Sequence, residues 1–311
     1  MTRYTDDYTD FNNEMAEILE EQSPVENFVD EPLIVSYSEV FKWDTCQRQY
    51  WYRFGMGLKP LEESNAMQIG TKGHKLLQDF YNLIAEGKEK HEAHILTARS
   101  AAKILSKTDT PDFTLLKAWT MVDNYIRENE FTPNAILVEN RFLFPASLLS
   151  DDPIFEGVQI GFTPDVVFQR PGNKLDVEDA KFVGRAWSKS KLNRFQQAKL
   201  YQIFLKVMGY NVTRSVVRFF NLATGKITVQ NYGLLEAEEK IIIRDFLAGI
   251  KEVVTYRRLP LEVRQEARRT TNYTACQFCA FEFPCTLEAE GKDASKTFKY
   301  QYMKSDYDYS R

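Results

Sequence analysis

Apolar residues recur along this chain first at helical spacing, then in alternation, then at helical spacing again. Ser36-Tyr37-Ser38-Glu39 has the form of a capping box, and a helix is predicted from there through about Phe54, ended by Gly55-Met56-Gly57. The three- and four-residue period predicts further helices over about 67–86, 92–106 and 111–130. Then the period shortens. AILVENRFLF (135–144) and IFEGVQIGFTPDVVFQR (154–170) each read as one strand, Pro171-Gly172-Asn173 as a turn, and KLDVEDAKF (174–182) as the return strand. A basic amphipathic helix is predicted over about 192–209. VTRSVVRFFNL and KITVQNYG follow as a strand pair, and a long helix over 235–257. This order predicts an α/β fold with a mixed sheet flanked by helices.

Hydrophobic residues make up 43% of the 311 and charged residues 27%, enough apolar material for a sizeable core. No apolar run approaches the roughly 18 residues that span a bilayer, so no membrane association is expected. The first 31 residues are acidic and polar, without a signal-peptide core; they are expected to be a flexible arm, with a short helix at Glu14–Glu21, of a cytoplasmic protein. The expected domain spans 32–289, and 290–311 reads as a polar tail. The net charge of −4 does not by itself advertise a nucleic-acid partner, so any DNA contact requires a local basic surface.

The chemistry concentrates in the predicted hairpin. Side chains two apart on a strand share a face, so Asp179 and Lys181 point the same way, and Asp165 lies on the adjoining strand. Two carboxylates offer hard oxygens to Mg²⁺ or Mn²⁺, and a lysine beside them can orient water or neutralise developing charge. Leu175, Val177, Phe182 and Val183 mark that strand as buried, where a purposeless Asp and Lys would be costly. His74 opens a predicted helix; a lone histidine is more often structural than a ligand. His91 and His94 read as solvent-facing. Gln197 and Tyr201 share one helix face at i, i+4, either as ordinary surface or as support for a metal-bound water or phosphate, and Glu139 is a further candidate ligand.

There are four cysteines: Cys46, then Cys276, Cys279 and Cys285 in C-x2-C-x5-C. Cytosolic thiols stay reduced, so one site holding all four is the natural reading. Thiolates of this number hold Zn²⁺ as readily as an iron–sulfur cluster. The aromatics around Cys46, with Phe278, Phe281 and Phe283, would shield such a group, or are simply local core.

Taken together, these residues resemble the PD-(D/E)xK nuclease superfamily in its RecB-like branch. The resemblance rests on His74 in G-x-x-x-H, Asp165 in G-x-x-x-D, Asp179-Ala180-Lys181 and Gln197 with Tyr201 in Q-x-x-x-Y, in that order. One cysteine before these motifs and three after is similar to the iron-staple nucleases, among them CRISPR-associated RecB-type exonucleases, the AddB nuclease domain and phage relatives. The resemblance covers about 36–287. It implies a restriction-endonuclease-like mixed sheet, with the nuclease core over 67–258 and a cluster subdomain from 36–60 and 260–289. It implies His74, Asp165, Asp179 and the Ala180 carbonyl as metal ligands, Lys181 as the catalytic lysine, Gln197 and Tyr201 as assistants, and Cys46, Cys276, Cys279 and Cys285 around a [4Fe–4S] cluster. Asp179 stands where several relatives carry Glu, which leaves the neighbouring Glu178 to be placed.

Arg185, Lys189, Lys191, Arg194 and Lys199 follow the D-x-K strand, and Arg257, Arg258, Arg264, Arg268 and Arg269 precede the cysteine triplet. Beside the inferred site, these runs form a candidate phosphate-tracking groove. The expected activity is a Mg²⁺- or Mn²⁺-dependent DNA exonuclease, with endonuclease activity as an addition, acting on single strands or free ends. The contexts it implies are recombination, repair, phage DNA processing or CRISPR adaptation. The alternative is a nuclease-like DNA-binding subunit of a recombination or spacer-acquisition complex, and a zinc-stapled structural protein is a third reading.

Overall fold

Both long strands expected before residue 171 are each two strands, and the breaks lie side by side. In the computed structural model, which describes residues 32–106, 112–128, 134–193 and 195–305, β3 (Asn134–Val138) stops and β4 (Phe142–Pro145) starts in another sheet. Likewise β5 (Val158–Phe162) ends before Thr163-Pro164-Asp165, and β6 (Val166–Arg170) resumes in the sheet of β3. Pro164 has no N–H to give to a ladder, a local reason for the second break. At the first, Glu139 takes a left-handed φ of 50°, and the Asn140 carboxamide accepts the Val138 N–H at 3.1 Å. The expected helix at Glu14–Glu21, the arm and Arg194 lie outside the described residues.

The central sheet has the order β3-β6-β7-β8-β9, with β7 (Lys174–Val183), β8 (Val212–Asn221) and β9 (Ile227–Tyr232). β7 and β8 run parallel and the other pairs antiparallel. β7 is buried on both faces, as a central strand between helical layers must be. Its alternation sorts the site: Leu175 and Val177 enter the main core with Leu200, Tyr201 and Phe204, while Ala180 and Phe182 join Leu76, Leu77, Met121 and Tyr125 on the other face. The second face is covered by α3 (Asn65–Ala85), α4 (Lys90–Leu105) and α5 (Phe113–Glu128). The first carries α7 (Gln196–Val207) and α8 (Glu236–Arg257), with the short α6 (Lys189–Asn193) before them. α3 lies close on the sheet because Gly73 has no side chain: a Cβ there would stand 2.1 Å from the Phe182 ring. The three-stranded sheet β1-β5-β4, with β1 (Leu33–Ser36), packs in the main core.

The expected helix over 36–54 is interrupted. α1 (Tyr37–Thr45) ends where Cys46 turns extended, α2 (Gln47–Tyr50) follows, and Trp51–Gly55 is a π-helical turn. The cause is tertiary: the Arg48 N–H leaves the helix to donate to the Arg268 carbonyl at 3.0 Å. The capping box is half formed. Ser36 Oγ accepts the Glu39 N–H at 3.2 Å, but Glu39 is buried, accepting from Tyr50 Oη at 2.7 Å and pairing with Arg257 at 3.1 Å. Of the segment read as a polar tail, 290–305 is described and carries regular structure. After α9 (Leu261–Gln265), α10 (Tyr273–Cys276) and α11 (Glu282–Ala289) come α12 (Ser295–Gln301) and β10 (Tyr302–Lys304), which pairs with β2 (Leu58–Pro60). Tyr302 stacks on Phe281 at 5.2 Å, an apolar anchor inside a stretch whose average composition is polar. No described helix is long and apolar enough to cross a membrane.

Candidate active site

The two strand breaks and the D-x-K strand meet at one end of the central sheet. Asp165, just past Pro164, accepts the Ala180 N–H at 2.6 Å, which fixes its carboxylate against β7. α3, drawn in by Gly73, brings His74 Nδ1 to 3.2 Å from the same Asp165 oxygen, with the His74 ring edge-on to Phe182 at 5.5 Å. The left-handed turn at Glu139 directs its carboxylate to the same point. Ligand atoms of His74, Glu139 and Asp165 lie within 4.8 Å of one another. Asp179 and Lys181 share the opposite face of β7 from Ala180, and Lys181 Nζ stands 2.7 Å from Asp179 Oδ2. Asp179 Oδ2 is buried, with that ammonium as its neighbour. On α7, Gln197 Nε2 donates to Tyr201 Oη at 2.7 Å, and Tyr201 feels the charge of Asp179.

These carboxylates crowd one another. Burial, and next the charge of Asp165, raise Glu139 to about 7. Burial and Asp165 also raise Asp179 against the pull of Lys181. For Asp165, burial pushes the pKa up, but hydrogen bonding and charge from His74 outweigh it and hold the group ionised. Burial lowers His74 and the Asp165 contact more than offsets that, leaving it raised. The arrangement crowds three carboxylates at one point, and its donors are hard oxygens with one imidazole. That set suits a divalent cation.

Alternation settles the placement of Glu178. It faces α3 and α5, pairs with Arg218, and lies 3.5 Å from Tyr81 Oη, so its carboxylate is satisfied away from Asp179. Of the remaining histidines, His91 is exposed, but His94 is not simply solvent-facing: its Nε2 meets Asp123 at 2.6 Å and its ring stacks on Trp119 at 5.9 Å. The local polarity of KEKHEAH hid this contact, which needs α5 beside α4.

The cysteines approach from both ends of the chain. Desolvation and the thiols of Cys46 and Cys285 raise both Cys276 and Cys279. Arg48 pairs with Glu288, and Tyr52 Oη donates to Glu288 at 2.6 Å, tying α2 and the π turn to α11. Of the aromatics expected to shield this region, Phe281 is buried, whereas Phe278 and Phe283 are exposed at 86% and 56%.

Arg185, Lys189 and Lys191 lie exposed after β7 and make no ion pair among the described residues. A signal that the residue-by-residue reading passed over surrounds them: from Ala180 to Leu235 the chain has no Asp or Glu and ten Lys or Arg. Five of the ten, Lys181, Lys199, Lys206, Arg214 and Arg218, pair with carboxylates from outside that stretch, which leaves Arg185, Lys189 and Lys191 as exposed cations after β7.

A mixed sheet between helical layers, with clustered carboxylates and a lysine where strands change sheet, is a geometry that suits a divalent cation. The profile of the PD-(D/E)XK nuclease superfamily matches residues 34–286, and the chain belongs to that superfamily. No curated protein matches it significantly. Among solved structures, the crystal structure of SSO0001 aligns with a TM-score of 0.39 at 13% identity, over 90% of this chain and 97% of that one.

Proposed function

We propose that this protein is a DNA exonuclease that hydrolyses phosphodiester bonds with Mg²⁺ or Mn²⁺ held by His74, Asp165, Asp179 and the Ala180 carbonyl, with Glu139 as a further ligand. The observation that carries this reading is the close-set His74–Glu139–Asp165 group, with Asp165 fixed by the Ala180 N–H and Asp179 paired with Lys181 on the same strand. A cation bound there supplies Lewis acidity toward a phosphate oxygen and lowers the pKa of a bound water. Lys181 holds the attacking water and offsets charge gathering on the phosphate. Gln197, fixed by Tyr201, orients that water or a phosphate oxygen. Arg185, Lys189, Lys191 and Arg194 track the backbone of the strand. Recombination, repair, phage DNA processing and CRISPR adaptation all require such an activity.

The same reading assigns Cys46, Cys276, Cys279 and Cys285 to a [4Fe–4S] cluster that joins the ends of the domain. Support comes from the mutual influence of these thiols. Closing so long a loop would add stability. Iron and sulfide analysis of anaerobically purified protein tests the cluster, and normal thermal stability in Cys276→Ala would count against it.

The test of activity is digestion of end-labelled single- and double-stranded DNA with Mg²⁺ or Mn²⁺. Lys181→Ala and Asp165→Ala should each abolish it, and retained degradation in both overturns the assignment.

A further inference from the structure

Between β7 and α7 the chain makes a turn that the proposed chemistry does not use in full. Trp187, half-buried, sits at its centre. Its indole rests on Phe219 at 4.8 Å and edge-on to Phe195 at 5.2 Å, and Phe195 in turn lies under Lys181 Nζ at 5.9 Å. Two ring-to-group steps therefore separate this indole from the lysine at the site. The pedestal is rigid: Phe219 belongs to a buried cluster with Val183, Ala198, Val217 and Tyr232, and Tyr232 Oη donates to the Leu192 carbonyl at 2.9 Å. Over the indole ring stands Lys191 Nζ, 4.1 Å from its centroid. Lys191 is exposed and makes no ion pair among the described residues.

The ammonium of exposed Lys191 over this half-buried indole contributes only about 1 kcal/mol, and its stem is flexible, so a better π-partner displaces it at little cost. The displaced charge stays within reach of a phosphate. An aromatic ring on a packed pedestal, with a movable cation beside it and exposed Arg185 and Lys189 in the same turn, is the combination that holds an unpaired nucleobase. Inside a duplex the faces of each base are covered by its neighbours, so such a ring engages only a base that has left the stack. At about 3.4 Å per stacked nucleotide, the seat falls within a few nucleotides of the phosphate that Lys181 would serve.

We propose that Trp187, with Lys191 moving aside, is a stacking seat for an unpaired base of the substrate strand, so that the site takes single-stranded or frayed DNA ends in preference to closed duplex. This rests on the nuclease reading for its substrate, but its test does not require cleavage. The full chain, without added divalent metal, is titrated with a fluorescent single-stranded 12-mer and with a blunt duplex of the same sequence. Trp187→Ala should weaken single-strand binding about tenfold and leave duplex binding within about twofold, and Trp187→Phe should restore most of the loss. Tryptophan emission of the wild type should fall as the 12-mer binds, and that component should be missing in Trp187→Phe, a variant expected to keep the pedestal packed. Equal quenching in both proteins, or unchanged single-strand affinity in a folded Trp187→Ala, overturns the seat. So does an equal loss on both DNAs. If wild type binds and quenches but cuts nothing with Mg²⁺ or Mn²⁺, the nuclease reading fails while the seat stands. If it cuts normally and Trp187→Ala binds like wild type, the reverse holds.

Discussion

The main-chain N–H of Glu139 donates to the main-chain carbonyl of Asp165 at 3.0 Å. That bond joins the two points at which neighbouring strands leave one sheet for another, and it sets two carboxylates side by side. The turn that makes it possible holds Glu139 at a φ of 50°, where a side chain with a Cβ is strained. Strain of this kind costs on the order of 1 kcal/mol and persists where function holds it in place. Glu139→Gly is therefore expected to melt about 1–2 °C higher than wild type in metal-free buffer, since it removes both the strain and a carboxyl that burial disfavours. The same variant should lose most nuclease activity. Calorimetry paired with an activity assay checks this, and a variant both less stable and fully active would refute it.

Gly73 makes the second close approach. Gly73→Ala should destabilise the fold by about 1–3 kcal/mol, because the new methyl must displace the Phe182 ring, which is itself stacked on Phe220 at 4.6 Å. Adding Phe182→Leu should recover stability, since the smaller side chain leaves room for the methyl. Denaturant titration of the single and double variants measures the recovery, and simple additivity of the two losses would exclude this contact as the cause.

The element order was legible because long helices and buried strands carry strong periods: α3, α8 and β7 lie within a few residues of their expected limits. What was hidden depended on partners distant in sequence. The break at Cys46 follows from a bond to Arg268, and β10 exists only because β2 offers an edge. The sheet switch after Val138 has no local marker, since Glu139-Asn140 interrupts an alternation that otherwise continues. At the site, strand alternation told apart the faces of Glu178 and Asp179, but it could not show that Arg218, on the neighbouring strand, pairs with the former. His94 was misjudged for the same reason as Cys46: its Asp123 partner lies on another helix.

Asp176 governs how the fold responds to acid. Burial alone would raise its pKa, but hydrogen bonds from Arg214 and Arg170, at 2.9 and 2.6 Å, outweigh that and hold it below the usual carboxylate range. A depressed folded-state value means the pair's stability is present above the unfolded pKa of about 3.9 and is lost as pH falls through the lower, folded value. Asp176→Asn should thus melt below wild type at pH 7, and the gap between them should narrow steadily below about pH 4. Melting curves from pH 7 to pH 3 test this, and a gap that stays constant or widens in acid would assign the stability to something other than this carboxylate.

Metal binding should be visible as stability. Whatever binds the folded state alone stabilises it by RT ln(1 + [L]/Kd), about 2.7 kcal/mol at a hundredfold excess over Kd. Mg²⁺ and Mn²⁺ should each raise the melting midpoint, with Mn²⁺ the stronger because an imidazole, here that of His74, suits a transition metal better than Mg²⁺. Asp179→Asn should separate the two states. Without metal it should be less stable than wild type, since the amide leaves Lys181 without its carboxylate partner at 2.7 Å. With metal it should show little further gain. Differential scanning fluorimetry across a series of Mn²⁺ and Mg²⁺ concentrations decides the point. A wild type indifferent to both ions, or an Asp179→Asn protein stabilised as much as wild type, would remove Asp179 from the proposed ligand set.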